Sequence, residues 1–245
     1  MNAYTSLAAS YDRLTNDVPY PQILEFLEAL LQAENKHPES VLDLACGTGS
    51  LSVLLAKKGY RVIAADMSED MLTEAQSKAD ELEGNRPFFI CQRMERLRLP
   101  EPVDCAVCCL DSLNYITDPT ACKRAIGRVY RALRPGGIFL FDVNTPEKLM
   151  AMDGQVFLDE DDDVFCVWRG EFKDRVCRYG MDLFQRDGDR WVRSFEEHLE
   201  YAYTPAELTE YLQAAGFRKI RIYGDRRQEP PCEGEQRIYF SACKE

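Results

Sequence analysis

Ser40-Val41-Leu42-Asp43-Leu44-Ala45-Cys46-Gly47-Thr48-Gly49-Ser50 is the stretch on which the fold turns. Its first six residues form an apolar run broken by one carboxylate, the pattern of a buried strand. Cys46 to Ser50 then predicts a tight turn. A glycine-rich turn between a strand and a helix lets backbone approach a ligand closely and presents unpaired N–H groups. Leu51, Leu54 and Leu55, stopped by Gly59, predict a short helix. Arg61 to Asp66 is a second strand, and Ser68 caps a helix running through Met71, Leu72 and Ala75.

The alternation continues outward from this unit. Pro87–Cys91 and Val103–Leu110 predict a third and fourth strand, Cys122–Leu133 a helix, Arg134-Pro135-Gly136-Gly137 a turn, and Ile138–Val143 a fifth strand. Upstream, Ile23, Leu24, Leu27, Leu30 and Leu31 give Tyr20–Gln32 a helical face. Strands that are nearly continuous apolar runs and alternate with helices belong to a parallel sheet covered on both sides. The fold class is α/β, a doubly wound sheet. From Pro146 to Tyr203 the rhythm breaks, and Val164–Phe172, Val176–Gln185 and Trp191–Tyr203 predict a three-stranded antiparallel insertion with an Asp187-Gly188 hairpin turn. Along its last strand, Phe195, Glu197, Leu199, Tyr201 and Tyr203 share a mostly apolar face, and Glu196, His198 and Glu200 the other. Thr204 and Pro205, with Glu207 two residues on, open a helix that Gly216 ends. Lys219–Tyr223 and Arg237–Ala242 are the final strands. The expected organisation is one unit from 1–145 and 204–245, with residues 1–35 as a helical cover and 146–203 as an inserted lid.

The 245 residues carry 30 Lys and Arg against 42 Asp and Glu, a net charge of −12. Such a surface repels phosphate backbones and anionic lipid, which argues against nucleic acid or a membrane as the partner and for a small molecule, with the chain a monomer or homodimer. No apolar run reaches the ~18 residues of a membrane span, and Met1 to Ser6 shows no secretory pattern. The expected compartment is the cytoplasm, where ten cysteines stay as thiols. Cys105 and Cys108 on one strand point to opposite faces and cannot grip a metal together; no metal site is expected. The run Asp159–Asp163 lacks ordered ligand spacing and reads as a solvated loop. Trp168 and Trp191 fit either a lid wall or the insertion's own core.

Asp43 sharpens the weak Gly47-x-Gly49 signal. A carboxylate four residues before the turn is adverse to a pyrophosphate and favourable to a ligand carrying an ammonium and a sulfonium. Ser52 also stands where a dinucleotide fingerprint requires its third glycine. Asp66 ends the second strand 17 residues after Gly49, where a carboxylate can accept hydrogen bonds from both hydroxyls of a ribose.

Together with Val62-Ile63-Ala64-Ala65-Asp66-Met67-Ser68, Asp104 to Tyr115 and Leu133-Arg134-Pro135-Gly136-Gly137-Ile138-Phe139, these residues resemble the Rossmann-like S-adenosylmethionine-dependent methyltransferases, small-molecule type with a late β insertion. The resemblance covers residues 36–145, with a tail from 204. It implies S-adenosyl-L-methionine as cofactor and a sheet order of 3-2-1-4-5-7-6 with the last-formed strand antiparallel. It also implies that Gly47 and Gly49 border the methionine moiety, Asp66 the ribose, Met67 and Met94 the adenine, and Leu110 and Asp111 the methyl-bearing end, with Asp43, Ala45 and Cys46 also among the cofactor-binding residues. Tyr11 and Tyr20 resemble N-terminal tyrosines that close over the cofactor, with Tyr20 turned toward substrate. One departure is Arg93, at about the position where members place an acid beside the adenine amino group; a guanidinium cannot accept that hydrogen.

Methyl transfer from a sulfonium is an in-line displacement that needs alignment more than a dedicated base, unless the acceptor arrives protonated. No residue is marked as catalytic; Asp111, Tyr115 and His198 are the weak candidates, His198 as a partly exposed strand residue. Asn114, Tyr115 and Asn144 lie at the carboxyl edge of the sheet and are candidate substrate contacts, with a helix cap and packing as the alternative for Asp111-Ser112-Leu113-Asn114-Tyr115. A nicotinamide-dependent oxidoreductase and a non-catalytic cofactor-binding protein remain the competing readings.

Overall fold

The computed structural model describes residues 11–12, 15 and 17–245. Seven strands form the main sheet: β1 (Ser40–Leu44), β2 (Arg61–Asp66), β3 (Phe88–Cys91), β4 (Val103–Cys108), β5 (Leu133–Asn144), β10 (Arg218–Tyr223) and β11 (Arg237–Cys243). Their order is β10-β11-β5-β4-β1-β2-β3, the expected 3-2-1-4-5-7-6. β11 runs antiparallel to both neighbours, while β1 to β5 pair in parallel. The helices are α1 (Tyr20–Ala33), α2 (Ser50–Lys57), α3 (Glu69–Asp80), α4 (Pro119–Ala132), α5 (Pro146–Ala151) and α6 (Pro205–Ala215).

The sequence chemistry sets these boundaries. Ser68 accepts a hydrogen bond from Met71 N, and Thr204 and Glu207 close a capping box at α6, satisfying N–H groups that a helix start leaves without partners. α4 starts at Pro119, three residues before the predicted Cys122, because Asp118 caps it. Arg134–Gly137 is not a free turn: β5 runs through it with a register shift against β4, and a Cβ on Gly137 would stand 2.9 Å from Arg134 O. From Cys105 to Cys108, successive β4 residues alternate between two cores. Cys105 and Val107 join the cluster under α1 and α2, while Ala106 and Cys108 join the cluster under α4 and α6, so the two thiols do face opposite sides.

The insertion departs from its prediction in two ways. It has four strands, β6 (Val156–Asp161), β7 (Val164–Lys173), β8 (Val176–Asp187) and β9 (Arg190–Tyr201), ordered β6-β7-β8-β9. β6 escaped the sequence reading because it is an edge strand exposed along its whole length, with acids where an apolar alternation would mark a strand. Asp159–Asp163 accordingly forms the end of β6 and the turn into β7, exposed as expected but paired as a ladder rather than free as a loop. The second departure is the orientation of β9. Glu196, His198 and Glu200 are buried and Phe195 is exposed, so the polar face points inward.

Candidate functional site

The turn after β1 builds one side of the site from backbone. Ala45, Gly47 and Gly49 all take positive φ (59°, 53° and 75°), and they differ in purpose. A Cβ on Gly47 would meet nothing within 4 Å, so open space lies above it. A Cβ on Gly49 would stand 2.8 Å from Ala75 Cβ, and Gly49 does not line the cavity. It lets the turn pack on α3 and sits as the N-cap of α2.

A cavity of ≈ 360 Å³ opens over this turn, lined by Asp43, Ala45, Cys46, Gly47, Asp66 and Met67 among others. Asp43 is almost fully buried, and its Oδ2 accepts a hydrogen bond from Ser52 Oγ at 2.5 Å. Burial pushes its carboxyl up to about 6. Ser52 therefore serves Asp43, a role its place in a failed dinucleotide fingerprint did not suggest. At the end of β2, Asp66 accepts from Gly47 N and Ser68 N, both at 2.9 Å. Burial raises its pKa against those two N–H bonds. Each oxygen keeps a further lone pair for a ligand.

Met67, Met71 and Met94 wall the cavity beyond Asp66. Arg93 Nε donates to Glu95 Oε1 at 2.6 Å, and both residues line the cavity. The Arg93 bond holds the Glu95 carboxyl below its ordinary range despite the desolvation that opposes it. A carboxylate thus reaches the cavity from Glu95, two residues after Arg93, in a short 3₁₀ turn (Met94–Arg96). Gln92 cannot contribute freely, since its amide is bonded to Arg98 N and O.

Just after β4 the backbone is again unusual. Leu110 and Asp111 take φ of 58° and 51°, a conformation disfavoured for L-residues with side chains. Asp142, fully buried on β5, holds it by accepting from Leu110 N (2.8 Å) and Asp111 N (2.9 Å). Arg237 on β11 bridges the Asp142 carboxylate and Asp111 Oδ1, the latter at 2.5 Å. Leu110 lines the cavity as expected, but Asp111 does not; its carboxylate is turned to Arg237. Sequence reasoning missed Asp142 and Arg237. The signal was an isolated acid in the apolar strand Ile138–Val143, since a buried charge requires a partner.

Three candidates sit elsewhere than expected. Asn114 is fully buried and does not line the cavity: its Nδ2 donates to Asn144 O and Tyr201 O, and its Oδ1 accepts from Asn144 N. It fastens the insertion to the sheet edge. Asn144 also stays outside the cavity lining, its Nδ2 donating to Glu200 Oε2 at 2.8 Å. His198 is 2% exposed, not a partly solvated strand residue, and lies against Trp168 and Tyr115 with ring centroids at 5.9 and 6.1 Å. Tyr115 does line the cavity. Trp168 belongs to the inward wall, whereas Trp191 is 48% exposed.

Tyr11 and Tyr20 close the cavity from the N-terminal side. Burial raises both phenols, Tyr20 to about 12. Asp12, beside Tyr11, is latched to the turn, with Thr48 Oγ1 donating to Asp12 Oδ1 at 2.7 Å and Lys78 Nζ reaching Thr48, Ser50 and Asp12. The cavity therefore offers two carboxylates at strand ends, open space above a glycine, and apolar sulfur-rich walls. The donor set fits a cationic nucleoside and leaves a pyrophosphate facing Asp43 and Asp66.

Residues 41–137 match the family model described as a methyltransferase domain. YqeM of Bacillus subtilis (strain 168), named as a methyltransferase, is 33% identical over 98% of this chain and 97% of its own. The chain belongs to the S-adenosylmethionine-dependent methyltransferases. A crystal structure of such an enzyme from Clostridium acetobutylicum ATCC 824 is 32% identical and superposes with a TM-score of 0.89 over 99% of both chains. A ubiquinone biosynthesis O-methyltransferase of Coxiella burnetii (strain RSA 331 / Henzerling II) is 32% identical over 83% of this chain and 73% of its own. The methyltransferase takes S-adenosyl-L-methionine as its cofactor and has the Rossmann-like fold of its family. A nicotinamide oxidoreductase is not the family it joins. Among its described residues, no helix is long and apolar enough to cross a membrane.

Proposed function

We propose that this methyltransferase transfers the methyl group to a small molecule held between the carboxyl edge of the main sheet and the inward face of the insertion. The observation that carries this reading is Tyr115, which lines the cofactor cavity on one side and meets His198 of the insertion on the other. On this reading Asp66 accepts the ribose hydroxyls, Gly47 and Asp43 face the methionine moiety, and Met67 and Met94 sandwich the adenine, with Glu95 in reach of its amino group. The bound cofactor supplies an electrophilic methyl on a sulfonium. The protein's task is then to align the acceptor behind that methyl and to exclude water, an arrangement that can lower the barrier by ~7–11 kcal/mol. Tyr11, Tyr20 and the four-stranded insertion provide the exclusion, and the Asp142–Arg237 pair keeps the Leu110-Asp111 turn rigid beside the methyl-bearing end. Residues 146–203 act as the substrate lid of a unit formed by 1–145 and 204–245.

The test is the destination of label. Incubating the chain with methyl-labelled S-adenosylmethionine and a cell extract, then separating small-molecule filtrate from macromolecules, should place the label in the filtrate. Label found solely in nucleic acid or protein would overturn a small-molecule acceptor.

A further inference from the structure

The outward face of the insertion is a surface that methyl transfer does not use. Glu196, His198 and Glu200 point inward from β9, so Trp191, Arg193, Phe195 and Glu197 point outward. The register carries the same alternation across the sheet. Glu160, Phe165, Phe184 and Arg193 stand in one row, and Leu158, Val167, Asp182 and Phe195 in the next on the same side. Leu158, Trp191 and Phe195 are 66, 48 and 44% exposed. An open hollow of ≈ 840 Å³ lies among Phe165, Phe184, Trp191 and the acids Glu160, Asp161 and Asp162. Contiguous apolar surface of this kind marks an interaction face.

Charge on this face is divided between its two sides. Asp182 is 3% exposed beneath Arg169 and Arg193, which both bond its carboxylate. One acid against two guanidinium groups leaves the middle of the face positive. Arg193 spends Nε and Nη2 on Asp182, and no hydrogen bond uses its Nη1. On β6, exposed Glu160 is in no ion pair among the described residues.

We propose that a second copy of this chain covers the face, the two insertion sheets packing on each other about a two-fold axis that runs along the strands. Such an axis lays β6 of one copy over β9 of the other, and β7 over β8. Row by row, Glu160 then meets Nη1 of Arg193 in the second copy, Phe165 meets Phe184, and Leu158 meets Phe195. Farther along the strands, Glu171 meets Arg178, its neighbour in the register. Each contact occurs twice, since the same patch serves both copies. A two-fold across the strands would lay β6 on β6, whose outward residues are Val156, Leu158 and Glu160, and would bring the acid no cation. At ~4.8 Å per strand and ~3.3 Å per residue, the four strands span on the order of 600 Å². That is comparable with the ~800 Å² per partner of a specific interface. The arrangement joins two lids back to back, leaves both methyl-donor cavities uncovered, and does not depend on which acceptor is methylated.

The experiment is sedimentation velocity of the full chain from about 1 to 100 μM, where the mass of two chains is expected. Glu160→Arg and Arg193→Glu each set like charges face to face and should raise the dimer Kd by about 30-fold or more. Both should bind S-adenosylhomocysteine as the parent does. Glu160 has no ion pair in its own chain to lose, so its variant still reports on the interface where Arg193→Glu fails to fold. Leu158→Asp, which replaces an exposed side chain, gives a second reading of the same kind. Mixed in equal amounts, Glu160→Arg and Arg193→Glu should pair again, because both contacts of the mixed dimer then join a guanidinium to a carboxylate. A single-chain mass throughout the series, a dimer that neither Glu160→Arg nor Leu158→Asp weakens, or folded charge variants that stay apart when mixed would overturn the proposal.

Discussion

Asp43 and Asp66 lie at the carboxyl ends of neighbouring parallel strands, Asp43 almost fully buried and Asp66 half-buried. Buried carboxylates are retained where something compensates them. Ser52 does so in part for Asp43, and Gly47 N and Ser68 N for Asp66. Asp66→Ala should weaken S-adenosylhomocysteine binding by about 1–3 kcal/mol, the cost of leaving ribose hydroxyls and two backbone donors without acceptors. Asp66→Asn, which keeps one acceptor oxygen, should lose less. Titration calorimetry measures both, and equal affinity in all three proteins would remove Asp66 from the site. The two glycines separate in the same way. Gly47→Ala meets open space, so beyond the ~1–2 kcal/mol of left-handed strain its effect should appear in cofactor affinity. Gly49→Ala drives a Cβ against Ala75 and should appear first in the thermal midpoint. A Gly49→Ala protein that melts normally but binds poorly would reverse these roles.

At the scale of elements, capping, periodicity and breaker residues marked β1 to β5, the final strands and α6, because each rests on local chemistry: a Ser68 cap, a Thr204–Glu207 box, a strand hydrophobic on both faces. The insertion was less legible. β6 is held by its ladder to β7 and buries none of its side chains, so no hydrophobic period betrays it. On β9 a period of two was visible, but which face turns inward was set by tertiary context, and the buried face is the charged one. Asn114 shows the same limit. Its place at the carboxyl edge matched a ligand contact, yet its side chain joins β5 and β9 instead. Asn114→Ala should therefore destabilise the fold by about 1–3 kcal/mol, worth roughly 2–4 °C of Tm per kcal/mol in a chain of this size. Its S-adenosylhomocysteine affinity should stay near that of the parent, and a variant that melts normally but loses affinity would return Asn114 to the site.

For the whole molecule, a net charge of −12 conceals an ordered distribution. Acids collect at one edge of the sheet: Asp43 and Asp66 at the turn, Asp111 and Asp142 around Arg237, Glu196 and Glu200 on the insertion above. Asp43, Asp66 and Asp111 were read as site residues in the sequence; Asp142, Glu196 and Glu200 were not, since they converge through strands far apart in the chain. The account stands on the claim that this edge receives a positively charged nucleoside and refuses a diphosphate. Calorimetric titration of the full chain with S-adenosylhomocysteine and, separately, with NAD tests it most directly. One S-adenosylhomocysteine bound per chain with no measurable heat from NAD is the predicted result; saturable NAD binding by a chain indifferent to S-adenosylhomocysteine would contradict it.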